Sequence, residues 1–170
     1  MKEDRNPSTE HFKESFLPIV NSETNTLILG TMPGEISLNK REYYGNVRNQ
    51  FWKIIFTTFG KDSVPLDFDK KIAFLQQQQL GLWDTLSSCE RKGSLDIHIK
   101  NQKENDFVAL FTQYPNIKRI LFNGKESHKY FIKKFGQLDG IEYFQMPSTS
   151  PANTVPFESK LNDWKKGLLK

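Results

Sequence analysis

The segment Thr26–Thr31, TLILGT, constrains the fold more than any other stretch: three large aliphatic residues in a row with no polar face, closed by Gly30. A strand wetted on one side alternates apolar and polar residues. A short run apolar on both sides belongs to a strand covered on both faces, as in a parallel sheet between helices. The rest of the chain fits that reading. Phe51, Trp52, Ile55, Phe56 and Phe59 recur at helical spacing over Asn49–Phe59 and stop at Gly60. A helix over Asp69–Gln79 with Asp69 as its cap, a strand over Gly81–Ser88 and a helix over Lys103–Tyr114 follow. Then come a strand at Arg119–Phe122, a helix at Lys125–Phe135, a strand at Ile141–Met146 and a last helix at Phe157–Leu169. Strands alternating with helices predict an α/β fold, a three-layer αβα sandwich around a central four-stranded parallel sheet. The 170 residues suit one domain, with residues 1–20 as an N-terminal arm that carries no identified chemistry.

Composition narrows the chemistry. A single cysteine, Cys89, leaves no internal disulfide and no cysteine-rich metal site, and the three histidines are not spaced as metal ligands, so neither metal nor organic cofactor is expected. No apolar run approaches the roughly 20 residues of a membrane span, and the charged N-terminus has no signal-peptide core, so a cytoplasmic protein away from the membrane is expected. The net charge of +4 favours a polyanionic partner, though weakly.

In sheets of this kind functional loops lie beyond the carboxyl ends of the strands. Those loops here are Gly30-Thr-Met-Pro33-Gly34, the stretch Cys89–Asp96, Asn123-Gly124 and Pro147-Ser148-Thr149-Ser150-Pro151-Ala152-Asn153. Taken singly each is open to two readings. Gly30, Pro33 and Gly34 form a tight turn or let a backbone approach a ligand. The hydroxyls of Ser148, Thr149 and Ser150 hold a phosphate or cap a helix.

Together, GTMPGEISLNKREYYGNVRNQFW at Gly30–Trp52, GLWDTLSSCERKGSLD at Gly81–Asp96, LFNG at Leu121–Gly124 and MPSTSPAN at Met146–Asn153 resemble the uracil-DNA glycosylase superfamily, and within it the hypoxanthine-DNA (deoxyinosine) glycosylase branch. Much of that superfamily carries Asp or Asn at the third position of the first motif to orient the attacking water. This chain has Met32, which cannot hold water by hydrogen bonding. The resemblance implies that Asn49 of the NxFW segment takes over as catalytic residue. Its amide positions water without deprotonating it, and the same residue also stands where a helix N-cap would. Further base contacts implied are Phe51 as a stacking ring, Asn123, Tyr44 and Met32, with Asp84 accepting the N1 proton of hypoxanthine. The bland alternatives are core packing for Phe51, turn formation for Asn123 and an ion pair with Arg91 for Asp84. DNA contacts fall on Gly30, Pro33, Gly34, Arg48, Ser148, Thr149 and Ser150, with Arg91 and Lys92 as further phosphate contacts and the small Ala152 at the tip where a wedge would sit.

The expectation is therefore a monomeric, monofunctional DNA glycosylase of base excision repair. It flips deaminated bases out of DNA and hydrolyses the N-glycosidic bond, hypoxanthine first and uracil second. The rivals are a uracil-preferring enzyme of the same fold and a non-catalytic DNA- or nucleotide-binding module.

Overall fold

The computed structural model describes residues 11–170. A four-stranded, all-parallel sheet in the order β3-β2-β6-β7 forms the centre, from β2 (Thr26–Gly30), β3 (Leu80–Asp84), β6 (Arg119–Asn123) and β7 (Glu142–Met146). Side chains of β2 alternate between two cores: Leu27 and Leu29 point to one face, Ile28 to the other, and all three are fully buried. Burial of each such side chain stabilises the fold by about 1.5–3 kcal/mol, so the TLILG run anchors both layers at once. The Ile28 face is covered by α2 (Phe51–Thr58), α3 (Phe68–Gln77) and α6 (Phe157–Leu168), through Phe51, Ile55, Leu75, Leu161 and Trp164. The opposite face is covered by α4 (Phe107–Gln113) and α5 (Lys125–Phe135), through Phe107, Leu110 and Phe131. This is the three-layer αβα sandwich expected from the alternating pattern.

Three boundaries differ from the sequence reading. The strand expected over Gly81–Ser88 is two strands. The chain leaves the parallel sheet after Asp84, turns at Thr85, and continues as β4 (Leu86–Glu90) in a second, antiparallel sheet of order β1-β4-β5 with β1 (Phe12–Glu14) and β5 (Lys100–Glu104). The helix expected from Lys103 starts only at Phe107, because Lys103 and Glu104 pair in β5 and Asp106 accepts from the Ala109 N–H to cap the helix. At α3 the cap is Asp67, which accepts from Asp69 N and Lys70 N, and not Asp69. A short helix, α1 (Glu35–Lys40), also follows the first loop; it is only six residues long and has no continuous apolar stripe to announce it. Of the expected arm, residues 1–10 lie outside the described residues, while the rest is tied down by β1 and by an Ile19–Leu82 bridge. No described helix is long and apolar enough to cross a membrane.

Candidate active site

The strand order 3-2-6-7 places a switch point between β2 and β6, where the chain runs off in opposite directions and leaves a crevice at the carboxyl edge. A cavity of about 790 Å³ occupies it. Gly30, Met32, Pro33 and Gly34 line it from β2, Asp84 from β3, Asn123 from β6, and Ser148, Thr149, Ser150 and Ala152 from the loop after β7; Tyr44 and Asn49 close it from the segment before α2. Residues as far apart along the chain as Gly30 and Asn153 thus share one hollow.

Asn49 sits one residue before the N-cap position of α2, and its Oδ1 accepts from the Phe51 N–H at 2.9 Å. That bond satisfies an orphan amide of the helix start and fixes the carboxamide. A carbonyl oxygen has two lone pairs, so the second is free to accept from a water in the cavity. Capping and water positioning, the two readings of the sequence, are compatible in one side chain.

Asp84 is 4% exposed, and its Oδ2 has no hydrogen-bond partner among the described residues. Burial, with a smaller push from Asp96 and an opposing pull from Arg91, raises its pKa to about 8. At neutral pH the carboxyl is therefore mainly protonated and can donate as well as accept. Arg91 does not pair with it; the guanidinium goes to Asp96 instead, at 3.8 Å. Room for the Asp84 carboxyl comes from Gly30, where a Cβ would lie 2.7 Å from Asp84 Oδ1 and 3.3 Å from the Tyr44 hydroxyl. Tyr44 itself takes a left-handed backbone conformation at φ 53°, and burial together with the Asp84 charge pushes its hydroxyl well above the usual phenol range. Tyr43 also borders the cavity, but its hydroxyl donates away from it to Leu17 O at 2.8 Å.

Several assignments from the sequence are corrected by these positions. Phe51 is fully buried and does not line the cavity. Its ring lies beneath Tyr44, stacked at 3.9 Å between centroids, so Tyr44 is the aromatic surface that a base could meet. Asn123 accepts from Thr149 N at 3.0 Å and donates to Thr149 Oγ1 at 2.9 Å, so it holds the loop, and it still lines the cavity with one Nδ2 hydrogen to spare. Thr149 is fully buried, so it holds the loop and does not meet a phosphate. Arg91 is 1% exposed and is no phosphate contact. Arg48 is exposed beside Asn49 but outside the cavity lining. The Met32 side chain packs with Leu86 and Cys89.

Around Thr149 the loop after β7 is a chain of short turns. Ser148 Oγ accepts from Ser150 N and Ser150 Oγ accepts from Ala152 N, both at 3.2 Å, which leaves each hydroxyl hydrogen to donate outward. From α6, Lys160 clamps it: Nζ donates to Asn153 O at 2.7 Å and to Gln50 Oε1 at 3.0 Å. The Trp164 indole donates to Pro147 O at 2.9 Å. Lys160 was hidden in the sequence among the solvated lysines of the last helix. Asp96 and Ser94, which also border the cavity, carry no local signal beyond their position after a strand.

In the loop after β2, successive carbonyls are tied to one side. Gly30 O accepts from Thr85 N at 2.8 Å, Thr31 O from Leu86 N at 3.1 Å, and Met32 O and Pro33 O from Arg91. In a trans peptide the N–H points opposite to its carbonyl. The N–H groups of Thr31, Met32 and Gly34 are consequently turned away from β3, β4 and Arg91, and have no partner among the described residues. Such a row of amides suits an anionic or carbonyl oxygen.

Comparison with known proteins agrees with this architecture. The family model described as the uracil DNA glycosylase superfamily matches residues 17–169. A protein of Methanosarcina barkeri named hypoxanthine DNA glycosylase is 34% identical over 152 residues, 89% of this chain and 95% of that protein; its namesake in Methanosarcina acetivorans is 32% identical over the same shares. A solution NMR structure from Methanosarcina acetivorans, provisionally described as a uracil DNA glycosylase, superposes with a TM-score of 0.79 at 30% identity, covering 92% of this chain and 96% of that one. With two glycine-bearing loops meeting at the switch point of a four-stranded parallel sheet and likeness along nearly its whole length, the chain belongs to the uracil DNA glycosylase superfamily.

Proposed function

We propose that this superfamily member removes hypoxanthine from DNA, and uracil second, by hydrolysing the N-glycosidic bond of a nucleotide flipped into the cavity. The observation that carries the reading is the meeting of Asn49, Tyr44 and a buried Asp84 with an unpartnered Oδ2 in one hollow, in a chain one-third identical to two proteins named hypoxanthine DNA glycosylase. Hypoxanthine offers an N1–H donor beside an O6 acceptor. A neutral carboxyl matches that edge with its C=O on N1–H and its O–H on O6, and the N3–H and O4 of uracil present the same order. Stacking on Tyr44 supplies the base with an apolar face.

As the glycosidic bond stretches, negative charge gathers on the leaving base and positive charge on the sugar. The Asp84 O–H and the outward amides of Thr31, Met32 and Gly34 are donors already in place for the negative end. Water donating to the free lone pair of Asn49 Oδ1 then adds to C1′ as the C1′–N bond breaks, and its proton passes to the departing base anion. The hydroxyls of Ser148 and Ser150 donate to phosphates on either side of the flipped nucleotide.

The test is release of free base from duplexes holding hypoxanthine, uracil or xanthine opposite each normal base. Wild type should release hypoxanthine. Asn49→Ala should slow release at saturating protein by about tenfold or more, on the order of 1.4 kcal/mol of transition-state stabilisation. A smaller loss would remove Asn49 from the chemistry, and an inactive wild type would remove the glycosylase reading.

A further inference from the structure

Arg91 is a cation almost wholly withdrawn from water, 1% exposed, yet its ion-pair partner Asp96 is long at 3.8 Å and partly exposed. Burying a guanidinium is costly unless its donors are met. Here they are met chiefly by backbone oxygens. Nε donates to Gly93 O at 2.9 Å, Nη1 to Met32 O at 3.4 Å and Nη2 to Pro33 O. Two of these three acceptors are successive carbonyls of the loop after β2. The planar fork of the guanidinium takes both at once while its Nε reaches back to its own loop. A second tie runs beside it, from Glu35 N to Ser94 Oγ at 2.9 Å, so the turn after β4 holds both ends of the Met32–Glu35 stretch.

From this geometry we infer that Arg91 is a positioning residue for base release: by holding the Met32 and Pro33 carbonyls it fixes which way the peptide units of the first loop face. The Pro33–Gly34 unit is the one most at risk. Pro33 has no N–H, and Gly34 has no Cβ to resist rotation of the plane between them. With Pro33 O tethered, the Gly34 N–H is turned from Arg91; without the tether, that unit and its donor are free to rotate. Backbone bonds from the neighbouring strand to this loop end at Leu86 N on Thr31 O, and Met32 O and Pro33 O accept only from Arg91 among the described residues. Arg91 therefore acts where the sheet no longer can. The inference deepens the glycosylase reading and rests on it for the catalytic consequence, but the loop geometry stands apart from that reading.

The test uses Arg91→Lys, which keeps the charge and loses the fork. Base release from a hypoxanthine duplex is measured in single turnover at saturating protein, beside the dissociation constant for uncleaved DNA, the melting temperature and the backbone amide spectrum. The rate should fall by about tenfold or more while DNA affinity stays within about threefold, since the donors lost face the transition state and not the phosphates. The amide signals of Met32 and Gly34 should shift or broaden, with those of the central strands unmoved. A merely structural role would lower melting temperature and affinity together with the rate. An unchanged rate with unmoved loop amides would overturn the inference while leaving an active wild type as a glycosylase. If wild type releases no base, the functional reading falls, and the loop amides alone decide whether Arg91 sets their orientation. Should Arg91→Lys fail to fold, the wild-type guanidinium decides: separate, slowly exchanging Nη protons support the tether, and a single averaged, fast-exchanging signal overturns it.

Discussion

Asp84 is the residue whose surroundings and proposed task constrain each other most tightly. Its carboxyl is enclosed and has one oxygen without a partner, and its pKa is pushed up to about 8, so it keeps its proton in the range where ordinary carboxyls have lost it. In the proposed reaction that proton is the donor to the leaving base, and ionisation replaces the donor with a like charge beside the departing anion. The rate of base release should therefore fall as pH rises through about 8. Asp84→Asn, whose amide still offers one donor and one acceptor, should lack that limb. Single-turnover rates between about pH 6 and 10 check this; the same limb in the variant would assign it to the base's own N1–H. Stability carries the same signature. Because the folded pKa lies above the unfolded one, the unfolded chain releases the Asp84 proton first. This carboxyl then lowers stability progressively as pH rises from the ordinary carboxylate range to about 8, and no further. Thermal melts should show Asp84→Asn gaining on wild type across that window; parallel curves would mean that the carboxyl is ionised in the fold.

Among elements, α2 shows how the same residues serve packing and site. Phe51, in its first turn, is enclosed by Tyr44 above, Trp52 at 5.0 Å and Trp164 at 6.1 Å. Phe51→Ala should cost about 3–5 kcal/mol of stability by the cavity it leaves. Its activity loss should follow from the sagging of Tyr44, so denaturant unfolding would separate this from a direct contact. Native-like stability with abolished activity would return the ring to the base. The sequence made α2 legible because its apolar spacing is dense, and made β2 legible because its run is unbroken. It concealed β5, Lys100-Asn-Gln-Lys-Glu104, since a polar antiparallel edge is held by pairing and not by its own composition. It also merged β3 with β4, because nothing in the letters of Thr85 marks the change of sheet. The same limit applies within the site. The family resemblance singled out Asn49 and the two loops, and the fold brings all three to the cavity. The burial of Arg91 and Lys160, and the locking of Asn123 onto Thr149, depend on what the fold brings opposite them, which no local pattern encodes.

For the molecule as a whole, the topology leaves the carboxyl edge of the sheet open, and two of the cations close to it are withdrawn from any DNA there. Of the charge that makes the chain +4, Arg91 and Lys160 are buried as clamps, whereas Arg48 beside Asn49 and Lys125 on the cavity rim remain free of ion pairs among the described residues. The salt dependence of DNA binding counts the phosphates that exposed cations neutralise: log K falls with log salt by about 0.9 for each phosphate contact. Binding to uncleaved duplex should therefore weaken as salt rises. Arg48→Ala and Lys125→Ala should each reduce its slope by about 1, with little change between sequences. The chemical step, once the nucleotide is in the cavity, lies away from that screened surface. Raising salt from about 0.05 to 0.2 M should lower kcat/KM while leaving the single-turnover rate at saturating protein nearly constant. Parallel loss of both would place charge recognition inside the cavity, and an unaltered slope in the two variants would place the DNA on another face.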